Sequence, residues 1–258
     1  VFASNERQTP EFYGDTGAAA GAATSTVQAS AWLTVTHDAT TYAGTSGIAA
    51  GTSSADGDTI LGLGHTLTID APNQTLRLDD GTEVAYTAGD TDVCVTGADG
   101  DCVYVDTSAL NPAYQGTVDV EATGRLSIDD GASTAAIDFA DDNLAVTDAD
   151  TGRTLYVDCT GIERTGLDAV RVPGTADMFS ALIEVRDLLL NTRDLPENEQ
   201  LSRLGDMVAL VSEVSERLTL ASTSIGSSIG RMATLDRGLE TRQQPVQRLA
   251  VDQRERCG

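Results

Sequence analysis

Lysine is absent from this chain: all 16 basic residues are arginine, set against 40 Asp and Glu, for a formal net charge of −24. A field of that sign repels nucleic-acid phosphates and anionic lipid headgroups, which argues against both as partners. Long hydrophobic runs are also missing. Nothing approaches 18 consecutive apolar residues, so no segment reads as a membrane-spanning helix. Aromatics make up only 4% of the residues, and His37 and His65 are the sole histidines. Each lies in a β-type run, neither is near a G-x-S-x-G nucleophile motif, and both read as partly exposed strand residues. No P-loop and no dinucleotide fingerprint occurs, so nothing points to a cofactor and the chain reads as non-enzymatic. The opening "VFASNERQTPEF" holds neither an initiator Met nor a signal-peptide core, and the chain is expected to be an internal fragment.

The acid is unevenly placed. Residues 1–172 hold 6 arginines against 27 acids, a balance of −21, and residues 173–258 hold 10 against 13, a balance of −3. Self-repulsion in the first part is expected to ease at molar salt, where the Debye length falls to about 3 Å. Four cysteines are present. Cys94 and Cys102 lie in "DVCVTGADGDCVYVD", two β-type segments joined by a turn, and a cross-strand disulfide is natural there if the register sets them opposite. Two free thiols are the alternative. Their spacing fits a zinc site poorly, and Cys159 and Cys257 have no evident partner.

Three segments follow from the pattern. Residues 1–30 are polar, rich in Ala, Gly and Thr, and read as an extended lead-in. Residues 31–172 break into short β-like runs such as "AWLTVTH", "TLTID", "TVDVEA", "RLSIDD" and "TLYVDC", separated by turns such as "DDGT" and "GADGD". Alternation predicts antiparallel hairpins with one wet face. No strict internal repeat is visible, which disfavours propellers and solenoids. From residue 173 the period becomes helical. Met178, Leu182, Val185 and Leu189 form a stripe opened by Thr175 as cap, with Pro196 ending the helix and Asn198 capping the next. The second helix carries a heptad seam of Leu201, Leu204, Val208, Val211, Leu218, Ile225, Ile229, Met232 and Leu239, interrupted at Ser215, Ser222 and Asp236. Gly226 and Gly230 near it would permit close helix approach. The fold class is therefore α+β: an acidic β-rich domain followed by long helices of a coiled-coil-like bundle.

The stretch "NLAVTDADTGRTLYVD" (143–158) crowds Asp148, Asp150 and Asp158 around Thr151-Gly152. As an EF-hand loop starting at Asp148 it fails, with Gly152 at position 5, Arg153 at 6 and Cys159 at 12. A hairpin turn with Asp148 at its start and Gly152 at positive φ explains the same residues. Paired carboxylates elsewhere (Asp79-Asp80, Asp129-Asp130, Asp141-Asp142) read as turn decoration.

Several stretches, in order, resemble the flagellin superfamily, and within it the flagellar hook-associated protein 3 family of the hook–filament junction. They are the lead-in "VFASNERQTPEF", "TTYAGTSG", "AIDFADDNLAVTDADTGRTLYVDCTGI", "VRVPGTADMFSALIEVRDLL" and "IGSSIGRMATLDRGLETRQ". The resemblance implies a chain whose terminal helices pair into a bundle while an inserted β domain projects outward. It implies export through the flagellar type III apparatus without a cleaved signal, and an extracellular place in the flagellum. The implied partners are copies of itself, hook and filament-side axial proteins, and an export chaperone in the cytoplasm. Pro245 and the four cysteines depart from the family's habit. A filament flagellin, an acidic adhesin-like or calcium-stabilised β protein, and, least supported, an extracellular hydrolase are the competing readings.

Overall fold

The computed structural model describes residues 9–175, 178–193 and 195–256, and divides into two compact units, Val1–Ala176 and Asp177–Gly258. The first is β-rich and the second helical, giving an α+β chain of antiparallel strands followed by a 12-residue helix and one long helix, short of the bundle of long helices expected. Cys257 lies outside the described residues, as does Asp177.

The β-rich unit holds β1 (Glu11–Tyr13), β2 (Ala19–Ala20), β3 (Ala29–Tyr42), β4 (Ala49–Ala50), a one-turn α1 (Ser54–Gly57), β5 (Gly62–Asp70), β6 (Thr75–Leu78) and β7 (Val84–Ala85). It continues through β8 (Val93–Thr96), β9 (Cys102–Asp106), β10 (Gln115–Ser127), β11 (Ala135–Ala136), β12 (Leu144–Thr147), β13 (Thr154–Asp158) and β14 (Gly166–Val172). The large sheet runs β1-β14-β3-β10-β5-β6-β7 with β11 beside β10, and β12-β13-β2 and β4-β9-β8 form two small sheets. Residues 9–30, expected to be a lead-in, belong to this fold. β1 pairs with β14 and β2 with β13, and Thr16, Ser25, Val27 and Ala29 are buried. Strands of only two or three residues leave no alternation to read.

The topology is a duplication in which one copy is inserted into the other. The outer copy's sheet, β1-β14-β3-β10-β11, corresponds strand for strand to the inner copy's β3-β10-β5-β6-β7. β3 and β10 serve both copies with different halves. They pass from one to the other at a bulge, where His37 faces Gly124 and Ala39 faces Thr123. The small sheet β2-β13-β12 corresponds to β4-β9-β8. The sequence carries the relation: "LSIDDG" at 126–131 matches "LRLDDG" at 76–81, and "LAVTDADTGRTLYVD" matches "VCVTGADGDCVYVD".

Loop hydrogen bonds repeat as well. Gly21 N donates to Tyr156 O at 3.0 Å and Gly51 N to Tyr104 O at 2.7 Å; Cys159 N donates to Asp141 O at 2.9 Å and Thr107 N to Asp90 O at 2.7 Å. Gly17 (φ 88) and Gly47 (φ 87) occupy the same turn. A Cβ on either would lie 1.7 Å from Gly161 O or 2.0 Å from Ala109 O, so both positions demand glycine. The expectation of no internal repeat is corrected here: nesting splits the outer copy into residues before 39 and after 123, which hides the period.

The two cores follow the two copies. One cluster, including Ile60, Leu67, Ile69, Leu76, Val95, Val103 and Val120, lies entirely within residues 39–123. The other includes Leu33, Val35, Leu126, Leu155, Val157 and Val170, and borrows only Leu61 from the inner copy.

In the helical unit, α2 spans Met178–Leu189 and α3 spans Glu197–Arg256. Three boundary expectations are corrected. Thr175 ties strands together: its hydroxyl accepts from Ala29 N and donates to Val172 O, both at 2.8 Å. α2 ends at Leu189 rather than at Pro196; just beyond it Asn191 takes the left-handed region at φ 46 and its N–H donates to Leu188 O at 3.1 Å. Pro196 precedes α3 and its carbonyl accepts from Gln200 N at 2.9 Å, which places Asn198 inside the first turn instead of at the cap. α3 continues through Pro245 as one element.

Candidate assembly surface

α2 and α3 are in contact, and Ala181 and Leu188 of α2 and Met207, Leu210 and Val214 of α3 are buried. Gln200 Nε2 donates to Leu188 O at 2.6 Å, fixing the turn between them. The face of α3 that this contact uses is rotated from the expected seam. Of the seam residues, Leu204 is half-buried, and Leu201, Val208, Val211, Leu218, Ile225, Ile229, Met232 and Leu239 are exposed. On α2 the expected stripe is likewise displaced, with Met178, Leu182 and Leu189 exposed.

The cause is the period. Heptad counting imposes 3.5 residues per turn, and a straight helix drifts from it by about 20° per heptad. Starting from Met207, steps of 3, 4, 4, 3, 4, 4 and 3 reach Leu210, Val214, Leu218, Ala221, Ile225, Ile229 and Met232 without meeting a polar residue. This is an 11-residue repeat, and it keeps one straight face. α2 covers its first third. Beyond Val214 the stripe continues with Leu218, Ile225, Ile229 and Met232, at 51–68% exposure. Gly226 and Gly230 lie off this stripe, and a Cβ on either meets nothing within 4 Å.

The chemistry-bearing residues of the β-rich unit are held by local structure. His37 Nε2 lies 2.8 Å from Thr40 Oγ1, whose hydroxyl donates to Asp58 Oδ2 at 2.5 Å. Asp58 Oδ1 in turn accepts from Tyr104 N at 2.7 Å, so this buried network pins the bulge to β9. Burial lowers the His37 pKa, against the pull of Asp58. His65 Nδ1 meets Asp79 at 2.7 Å and Nε2 meets Leu61 O at 3.0 Å. Burial acts to lower its pKa, yet these bonds outweigh it and the net shift is upward. His65, Asp79, Asp80, Asp99, Asp101 and Arg164 line a cleft of about 440 Å³ where the two copies meet. Among the described residues, no group of three or more His, Cys, Asp or Glu is arranged to hold a metal.

The carboxylates mostly bind their own turns. Asp129 accepts from Ala149 N, from Ser133 N and Oγ, and from Ser127 Oγ, which together hold it far below the usual carboxylate range. The "DADTG" loop is a hairpin turn: Asp148 Oδ1 accepts from Asp150 N at 2.8 Å and Thr151 N at 2.9 Å, and Gly152 sits at φ 66. Cys94 faces Tyr104 and Cys102 faces Thr96, so the two thiols are diagonal neighbours rather than opposite, and both are free. Cys159 is buried, which pushes its thiol up to about 12.

Among the described residues no helix is long and apolar enough to cross a membrane. No family model, no curated protein and no solved structure matches the chain.

Proposed function

We propose that the chain is a structural, non-enzymatic component of the bacterial flagellum, a member of the flagellin superfamily that joins hook to filament as a hook-associated protein. The observation that carries this reading is the 60-residue α3, whose apolar stripe is buried only as far as Val214. A soluble helix with so long an apolar face requires partner helices. The resemblance supplies them: axial helices of neighbouring subunits, of hook-side and filament-side proteins, and terminal helices of the same protein. The acidic β-rich unit then faces solvent, and its charge keeps neighbouring subunits apart everywhere except along the helices. Export unfolded, with a cytoplasmic chaperone on the apolar helix, belongs to the same reading.

Immunogold labelling with an antibody against residues 31–172 tests it. Label confined to the hook–filament junction is the expected result. Label along the whole filament would make the chain a flagellin, and label on the cell body would support an adhesin.

A further inference from the structure

We propose that the cleft where the two nested copies meet is a binding site for an aliphatic polyamine, whose protonated nitrogens are taken by Asp101 on the buried wall and by Asp80, Asp99 and Glu163 at the rim. The proposal goes beyond the assembly reading and rests on the β-rich unit alone.

The cleft, about 440 Å³, draws its walls from both copies. Asp15, Glu163 and Arg164 come from the outer copy; His65, Asp79 and the turn between β8 and β9 come from the inner one. Its two basic groups are already engaged. Arg164 Nη1 meets Asp15 at 3.2 Å and donates to Asp99 O at 3.0 Å, and His65 pairs with Asp79 at 2.7 Å. Asp80, Asp99, Asp101 and Glu163 have no ion-pair partner among the described residues.

Asp101 is the anchor. It is only 8% exposed, and among the described residues the one hydrogen bond to its carboxylate comes from its own backbone N–H. It feels the charges of His65, Asp79 and Asp99, which line the same cleft, and burial pushes its pKa up. A carboxylate buried without a partner is costly, and a bound ammonium removes that cost. The turn itself does not require this acid. In the outer copy the matching turn closes with the same backbone bond, Asp148 N to Arg153 O at 2.9 Å against Gly97 N to Asp101 O at 2.8 Å. There the side chain is an exposed arginine. In the inner copy Gly97 makes room for the acid: a Cβ on it would lie 2.4 Å from Asp101 Oδ1.

The spread of charge selects the ligand. Among the described residues no three acids converge as a metal shell, and a compact ion needs convergent oxygens. A polyamine instead carries charges several bonds apart on a flexible stem and donates hydrogen bonds from each. The volume falls in the range of about 300–1,000 Å³ common to small-molecule sites. Bound there, the ligand ties Glu163 of the outer copy to Asp101 of the inner one.

The test titrates the full chain with spermidine by calorimetry in about 1 M NaCl, where a Debye length of about 3 Å screens diffuse attraction to the acidic surface. One equivalent should bind and raise the melting temperature. Asp101→Asn should weaken binding ~10–100-fold, as expected for one charge-assisted hydrogen bond. Asp150→Asn, the same charge change on the outer copy's turn, should leave binding unchanged. Ala98→Arg, at an exposed position on the cleft wall, should abolish binding by placing a guanidinium in the cleft, and it decides the matter if Asp101→Asn does not fold. Undiminished binding by Ala98→Arg, or equal affinity in Asp101→Asn and Asp150→Asn, would overturn the proposal. So would no heat at about 1 mM spermidine, uptake of many equivalents without saturation, or equal stabilisation by magnesium chloride at the same ionic strength.

Discussion

The nested duplication predicts that the inner copy, residues 39–123, folds when expressed alone. Its ends lie side by side, since Ala39 and Thr123 are register partners, and every buried member of its core cluster comes from within it. Excision removes little. Leu61, fully buried against the outer copy, becomes exposed, costing about 1.5–3 kcal/mol. The backbone bonds Leu61 N to Glu163 O and Thr165 N to Thr59 O are lost, at about 1 kcal/mol each. A domain of this size typically has about 4–13 kcal/mol of stability, so from the middle of that range a loss of ~3–5 kcal/mol leaves a cooperative fold of a few kcal/mol. Leu61→Gln should recover solubility without changing the β-sheet spectrum. Urea denaturation followed by far-ultraviolet circular dichroism, in low and in 2 M salt, is the assay. A chain without a cooperative transition in either buffer would refute the view that two self-contained cores were joined by insertion.

Four further outcomes follow. His65→Gln should destabilise mainly below pH 6.5: the folded pKa is raised, so the stability it confers is full below the unfolded value and is lost as pH rises through the folded one. His37 acts oppositely. Its lowered pKa gives stability that is present above 6.5 and lost as pH falls through the folded value, so melts of His37→Gln and His65→Gln should diverge in opposite directions between pH 5 and 8. Thiol labelling should reach exposed Cys94 first and Cys159 only on unfolding, by mass spectrometry. Cys94 and Cys102 are free but neighbouring thiols on one face of the hairpin, so mild oxidation should bridge them, read as a two-hydrogen mass loss in that hairpin; an unchanged mass would show that the diagonal register keeps them apart. Thermal melts of the β-rich unit should rise from low to molar salt as its self-repulsion is screened, and a flat response would count against salt adaptation.

What the sequence revealed and concealed has physical causes. Alternation in "LAVTD" and "TLYVDC", with an aspartate and a glycine at fixed turn positions, made the β12–β13 hairpin readable. β1, β2 and β4 were unreadable because two or three residues, Glu-Phe-Tyr in β1 and Ala-Ala in β2 and β4, carry no period. The duplication left a signal in "LRLDDG" and "LSIDDG", but insertion broke the constant spacing by which repeats are found. In α3, apolar content announced a long amphipathic helix; heptad counting meets the uncovered stripe at Leu218, Ile225, Ile229 and Met232 but passes by the buried Met207, Leu210 and Val214 nearer its start. Uninterrupted apolar residues at 11-residue spacing, from Met207 to Met232, were the available clue. Nothing local in the sequence marked where α2 would stop covering that face.

The central claim is that the α3 stripe assembles the protein into an axial structure while contributing little to its own fold. Ile225 and Ile229 are 60% and 61% exposed, so changing both to Asp should alter the melting temperature of the isolated chain by no more than a surface substitution does, within about 0.5 kcal/mol each. Covering each side chain in an assembly is worth about 2.5 kcal/mol at 25 cal/mol per Å², so the pair should lose ~5 kcal/mol of contact, several thousand-fold in affinity. The direct measurement is motility and secretion of a strain carrying Ile225→Asp and Ile229→Asp. Abolished motility with the protein still exported and folded is the predicted result; normal motility would contradict the account.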